Sequence, residues 1–234
     1  AQGGFHGMGN ARFKSSTNQA PRKTTDGSPG EVRELRLELK LLADVGLVGL
    51  PNAGKSTFLA AVSAARPRVA DYPFTTLQPQ VGVVSAGPLR SFTLVDLPGL
   101  IEGAAEGIGL GHRFLRHVQR TRLMFHVVDV LDMEGRDPLA QIRTIADELV
   151  EFNPALAERP RWLILNKTDL IDEDEQNALI QRIREELAWR GPIYTVSAIQ
   201  PKTLDTLVHD AMDAVEARAR EMAENDAESA GDDA

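Results

Sequence analysis

The sequence predicts an α/β domain with a mostly parallel six-stranded sheet and helices on both faces. Two observations carry this. Short apolar runs alternate with amphipathic segments of helical periodicity, and the polar motifs follow directly after strand ends. Strands are predicted near residues 41–50, 80–86, 91–96, 123–130, 161–166 and 192–196. Helices are predicted near 55–65, 110–120, 138–152, 174–189 and 202–219. In the last helix Leu204, Leu207, Val208, Ala211, Met212 and Val215 recur at helical spacing, which makes them a core face.

The first strand ends in Gly49-Leu50-Pro51-Asn52-Ala53-Gly54-Lys55-Ser56, followed by Thr57 and a helical stretch; this fits the pattern GxxxxGK[ST]. Glycines let such a loop curl so that several N–H groups point at a phosphate chain. Lys55 reaches the terminal phosphates, and the Ser56 hydroxyl is placed to ligate Mg²⁺. Next comes Asp71-Tyr72-Pro73-Phe74-Thr75-Thr76-Leu77-Gln78, whose hydroxyls could close over Mg²⁺ and the γ-phosphate. Thr76 is the preferred second protein ligand and Thr75 the alternative; Phe74, Leu77 and Gln78 belong to the same candidate nucleotide-binding loop.

The strand Phe92–Val95 ends in Asp96-Leu97-Pro98-Gly99, a DxxG motif. Asp96 would hold Mg²⁺ through a water, and the Gly99 amide would sense the γ-phosphate. The run Trp162–Leu165 ends in Asn166-Lys167-Thr168-Asp169, an NKxD motif. The Asp169 carboxylate can accept hydrogen bonds from guanine N1–H and its 2-amino group. Adenine lacks that pattern and would leave the carboxylate unpaired. Lys167 can lay its stem on the base, and Asn166 can tie this loop to the phosphate loop. After the run Ile193–Val196, Ser197-Ala198-Ile199 can bring a backbone amide to the guanine oxygen. GTP and GDP are therefore the expected ligands. Lys55, Thr76 and Gly99 are the candidate catalytic residues, and Ser56, Thr76 and Asp96 the candidate metal ligands.

These five motifs, in this order, resemble those of TRAFAC-type GTPases, which implies a Ras-like P-loop GTPase domain. Several stretches are more specific: Asn18–Arg22, Leu39–Gly46, Leu50–Ala53, Ala70–Leu77 and Leu100–Ala105 closely resemble the Obg/CgtA family of bacterial GTPases. The resemblance runs to about Val215. It implies a cytoplasmic, ribosome-associated GTPase acting in large-subunit assembly and in growth or stress control. The implied partners are the rRNA and proteins of the large ribosomal subunit, and (p)ppGpp is a further implied ligand. The chain is expected to be monomeric. Obg proteins begin with a glycine-rich domain of polyproline-like coils, and Gly3–Asn10 resembles only its final portion, so the chain is expected to be a piece of a longer protein. The expected divisions are a remnant of that domain with its linker over 1–38, the GTPase domain over 39–217, and an acidic disordered tail over 218–234.

Composition agrees. The 234 residues are 42% hydrophobic, enough for one buried α/β core. No apolar run reaches the roughly 18 residues that span a bilayer. With no cysteine, disulfides, thiolate metal sites and cysteine catalysis are excluded. A net charge of −8 argues against generic nucleic-acid binding by the globular part. Residues 1–26, with four Lys/Arg against one Asp, are the obvious basic surface for a ribosomal contact, and their low apolar content predicts mobility. The five histidines show no metal-ligand grouping.

Phosphoryl transfer needs charge neutralisation and an oriented water. Leu100 occupies the position after Gly99 where Ras-like enzymes carry a water-orienting Gln, so slow intrinsic hydrolysis is expected. A backbone group, the Gly103–Gly111 loop or a partner would have to orient the water. Some GTPases with Asn at the position of Asn52 bind K⁺ there, and by that resemblance a K⁺ charge could replace an arginine finger; the equal alternative is that Asn52 only stabilises the loop. Arg113 and Arg116 are possible arginines in cis but fit surface ion pairs better. The glycines of Gly99–Gly111 predict a loop ordered by the γ-phosphate. Because Leu100 weakens the case for turnover, a second reading stands beside the switch: a guanine-nucleotide or (p)ppGpp sensor in which hydrolysis is incidental.

Overall fold

The computed structural model describes residues 1–34, 43–65, 67–69, 80–96, 121–152 and 154–231. It divides into two compact units, Ala1–Leu39 and Lys40–Ala234.

The larger unit is a seven-stranded sheet. Its strands are β1 (Val45–Val48), β2 (Arg68–Val69), β3 (Gln80–Gly87), β4 (Arg90–Asp96), β5 (Leu123–Asp129), β6 (Arg161–Asn166) and β7 (Ile193–Thr195), in the order β2-β3-β4-β1-β5-β6-β7. From β4 to β7 all neighbours are parallel, while β2-β3-β4 run antiparallel. The six predicted strands are present. The seventh, β2, is a two-residue edge too short to show periodicity. β1 and β5 are buried at every position, as a central strand covered on both faces must be, whereas the second half of β3 alternates buried and exposed.

The helices are α1 (Lys55–Val62), α2 (Pro138–Phe152), α3 (Pro154–Ala157), α4 (Glu173–Glu186) and α5 (Asp205–Gly231). The predicted helix at 110–120 lies outside the described residues. On one face, Phe58 and Leu59 of α1 and Leu207, Ala211, Met212 and Val215 of α5 pack on Val45, Leu47, Phe125, Val127 and Ile164. The predicted core face of the last helix is thus buried, with Val208 partly so. On the other face, α2, α3 and α4 cover two separate clusters, one around Met124, Ile145 and Leu149, the other around Val128, Ile142, Leu163 and Ile183. Phe58, Phe125, Trp162 and Tyr194 form a ladder of rings across the first face, with centroids 6.1, 5.9 and 5.3 Å apart.

Asp44, just before β1, ties the middle of β4 to the start of β5. Its carboxylate accepts from the Thr93 amide and hydroxyl, each at 2.9 Å, and pairs with Arg122. α4 opens with a capping box, Asp172 accepting from Glu175 N while the Glu175 carboxylate accepts from Asp172 N. α5 runs to Gly231, beyond the predicted end near 219, so most of the expected acidic tail is helical. Its Ala/Glu/Met content favours helix, and the Arg218–Glu221 and Arg220–Glu216 pairs lie one turn apart. Among the described residues no helix is long and apolar enough to cross a membrane.

The smaller unit corrects the expectation of a mobile 1–26 segment. Two extended stretches pair with a period of three. The amides of Thr25, Ser28 and Glu31 donate to the carbonyls of Met8, Phe5 and Gln2 at 3.1, 2.9 and 2.8 Å. In return the amides of Met8, Phe5 and Gln2 donate to side-chain oxygens of Thr25, Ser28 and Glu31 at 2.9, 2.8 and 3.0 Å. A Cβ at Gly4 or Gly7 would lie 1.8 or 1.9 Å from the carbonyl oxygen of Ser28 or Thr25, so the close approach requires glycine. Backbone hydrogen bonds do here what apolar burial does elsewhere.

Candidate functional site

The described motif residues gather at the C-terminal ends of β1, β4, β6 and β7, where a parallel sheet leaves a crevice. The phosphate loop leaves β1 at Gly49 and enters α1 at Lys55. Gly54 has φ +93, and a Cβ there would meet the Asn166 amide nitrogen at 2.3 Å. Loop curvature and packing therefore both demand glycine at this position. Asn52 is also left-handed, with φ 63, and is exposed. The Lys55 ammonium donates to the Gly49 and Leu50 carbonyls at 2.8 and 3.0 Å, so its charge is held over the mouth of the loop.

Parallel pairing of β1 with β4 sets Leu47 beside Asp96 and thereby brings the second motif to the first. The Ser56 hydroxyl donates to Asp96 Oδ2 at 3.0 Å. The other oxygen, Oδ1, is buried without a hydrogen-bond partner. Burial pushes the Asp96 carboxyl above the usual carboxylate range, against the downward pull of the Lys55 charge and the Ser56 hydroxyl. A buried carboxylate with an orphan oxygen beside a hydroxyl is a donor set suited to a hard divalent cation such as Mg²⁺, so these residues fit the implied metal.

β6 delivers Asn166, 1% exposed, whose side chain joins three loops. Its Nδ2 donates to the Ala53 carbonyl at 2.9 Å and its Oδ1 accepts from the Ala198 amide at 3.1 Å. Thr168 is buried and donates to the Val196 carbonyl at 2.9 Å. The Ser197 hydroxyl donates to Asp169 Oδ1 at 2.6 Å, which fixes that carboxylate's orientation. Ile199 is exposed and contributes position rather than contact. Thus residues 49–57, 96, 166–169 and 197–199 form one cluster. The candidate residues Phe74, Thr75, Thr76, Leu77, Gln78, Leu97, Pro98 and Gly99 lie outside the described residues, as do Leu100, Arg113, Arg116 and the 103–111 loop.

Three residues outside the motifs support this cluster. Asp129 at the end of β5 pairs with Lys167, Gln141 of α2 holds Asp129, and the Thr203 hydroxyl accepts from Ser197 N at 3.0 Å while facing the Ser197 and Gln200 carbonyls at 3.2 and 2.8 Å. Asp129 had a sequence signal: β4, β5 and β6 all end in a carboxylate or amide, Asp96, Asp129 and Asn166. Gln141 and Thr203 had none, since their partners are distant or set by the local turn.

Comparison with known proteins follows the same division of the chain. A family model described as 50S ribosome-binding GTPase matches residues 44–167, and one described as GTP1/OBG matches residues 1–41. Among solved structures, nucleolar GTP-binding protein 1 of Plasmodium falciparum is similar with a TM-score of 0.58 at 19% identity, covering 80% of this chain and 93% of that one. The G domain of the T. maritima FeoB iron transporter is similar with a TM-score of 0.50 at 21% identity, covering 75% of this chain and 97% of that one. The T. maritima FeoB cytosolic domain in its GMPPNP form gives 0.52 at 18% identity, covering 74% and 64%. At such identities these structures establish the fold, a Ras-like P-loop GTPase α/β domain.

Proposed function

This chain belongs to the family of 50S ribosome-binding GTPases, and from that premise we propose that it binds Mg²⁺ with GTP or GDP in the cluster above, hydrolyses GTP slowly, and acts as a nucleotide-dependent switch in cytoplasmic large-subunit assembly and growth or stress control. The observation that carries this reading is the Asn166 side chain, which bonds the phosphate loop at Ala53 and the Ser197–Ile199 loop at Ala198 at once. One amide thereby sets the spacing between a phosphate cradle and a carboxylate, Asp169, able to read a guanine edge.

Each residue has a role in this proposal. The amides of Asn52–Thr57 and the Lys55 ammonium bind the phosphates, and Asp169 with the Ala198 amide reads the base. Ser56, Asp96 and Thr76 would hold Mg²⁺, which when bound neutralises developing phosphate charge. The Gly99 amide senses the γ-phosphate, and K⁺ near Asn52 adds positive charge. Ribosomal contact falls to the basic N-terminal segment, where Arg12, Lys14, Arg22 and Lys23 are all exposed.

Leu100 favours a second reading, a GDP or (p)ppGpp sensor with incidental turnover. Single-turnover GTP hydrolysis with and without large ribosomal subunits separates the two. The switch predicts stimulation of about tenfold or more, within the range that an added water-orienting or charge-stabilising group supplies. Flat rates with nucleotide-dependent docking would establish the sensor instead. Run in KCl and in NaCl, the same assay is expected to be faster in KCl, and equal rates would remove the K⁺ site.

A further inference from the structure

We propose that Asp129 and Gln141 are positioning residues that hold the Lys167 side chain in place for the base before nucleotide arrives. The proposal rests on the guanine-binding reading above. β5 and β6 are parallel neighbours with Asp129 beside Asn166, so the residue after Asn166 leaves the sheet next to the end of β5. Lys167 does so in the left-handed region, φ 66, and its ammonium lies 2.5 Å from Asp129 Oδ2. The Asp129 side chain is 4% exposed and that of Lys167 30% exposed.

Asp129 is itself held at both its side chain and its backbone. Its Oδ1 accepts from the Leu131 amide at 3.1 Å. The Gln141 amide grips its backbone in both directions, accepting from Asp129 N at 3.2 Å and donating to Asp129 O at 3.0 Å. Gln141, 3% exposed, also donates to the Arg136 carbonyl at 3.2 Å, and Arg136 is braced by Asp132 at 2.5 Å. A chain of contacts therefore runs from the start of α2 through Gln141 and Asp129 to Lys167. A free lysine stem samples many rotamers, and a ligand that must order it loses that entropy from its affinity. Here the ammonium is fixed at one end and the backbone at the other, so the stem is ordered in advance. Because Asp129 is buried, losing one partner of the pair also costs fold stability, so the positioning role is read from nucleotide affinity and its dependence on Lys167.

Calorimetry of Mg²⁺–GDP on the full chain tests this as a double-mutant cycle. Asp129→Asn keeps the side-chain shape and the acceptor for Leu131 but removes the charge. It is expected to weaken GDP about tenfold, while in a Lys167→Met background the same change costs less than about twofold. Gln141→Met, which leaves the charge untouched, is expected to show the same dependence on Lys167 with a smaller effect, and it serves if Asp129→Asn does not fold. The ratio of GDP to IDP affinity is expected to stay constant, because the 2-amino group that separates them faces Asp169. No loss in Asp129→Asn, an equal loss in both backgrounds, or a falling GDP/IDP ratio would overturn the positioning role. A wild-type chain with no GDP affinity would instead overturn the reading beneath it.

Discussion

Asp169→Asn is expected to lower affinity for GDP by about 10³-fold, roughly 4 kcal/mol, and to create affinity for XDP. The Asp169 carboxylate can offer only acceptors, which suits the two donors, N1–H and the 2-amino group, on guanine. An amide presents one acceptor and one donor, so while its oxygen can still accept from N1–H, its N–H is opposed to the guanine 2-amino group and neither of those two donors finds an acceptor. Xanthine replaces that amino group with a carbonyl, which the amide can serve. The swap is nearly isosteric, and the amide oxygen can still accept from Ser197 as Oδ1 does at 2.6 Å, so the loop is expected to keep its shape. Competition calorimetry with GDP, XDP and ADP reads the result. Equal loss of GDP and XDP affinity would mean that Asp169 acts on loop structure rather than on the base edge.

Acid is expected to destabilise the fold through His126. This side chain lies on the middle of β5, between Met124 and Val128, where the two helix-covered clusters of the second face divide. It is fully buried, and neither ring nitrogen has a hydrogen-bond partner. Burial, with lesser contributions from the charges of Arg161 and Lys55, holds it at about 3, far below the ordinary histidine value of 6.5. Above pH 6.5 it is neutral whether folded or unfolded, and no stability is lost. As the pH falls below that value, the unfolded chain gains a proton that the folded chain refuses. The loss grows to about 2 kcal/mol at pH 5 and levels near 5 kcal/mol below pH 3.

Asp96 and Glu148, both raised by burial, oppose this slope over their own range, because the fold accepts their protons readily. The contribution of His126 is therefore read as a difference. His126→Leu is expected to match or exceed wild type at pH 7, since it removes two unpaired polar atoms from an apolar site, and to lose about 2 kcal/mol less than wild type between pH 7 and pH 5. Urea unfolding at the two pH values measures this, and parallel losses in both proteins would refute it.

The sheet was legible because buried parallel strands are written as apolar runs, and β4, β5 and β6 are such runs with polar ends. The candidate site was legible for a related reason. Its motifs are contiguous, and each needs residue types, such as Gly54 and Asp169, that the chemistry permits few substitutes for. What escaped was contact made only by folding. Asp129 and Gln141 are separated from Lys167 in sequence and meet it only through strand register and the seating of α2. Thr203 sits in a 3-10 turn, Pro201–Leu204, whose hydroxyl contacts depend on turn geometry. The pairing of the N-terminal stretch is not written in its apolar content, because Gly4 and Gly7 let hydrogen-bonding groups approach closely enough to supply the order.

Titration of the wild-type chain with GDP and Mg²⁺, followed by the same titration with ADP, bears most directly on the central claim that this crevice is a guanine-nucleotide site. Saturable heat with GDP at one site per chain, and none with ADP, is the expected result. A folded protein giving no heat with GDP, or equal heat with both nucleotides, would contradict it.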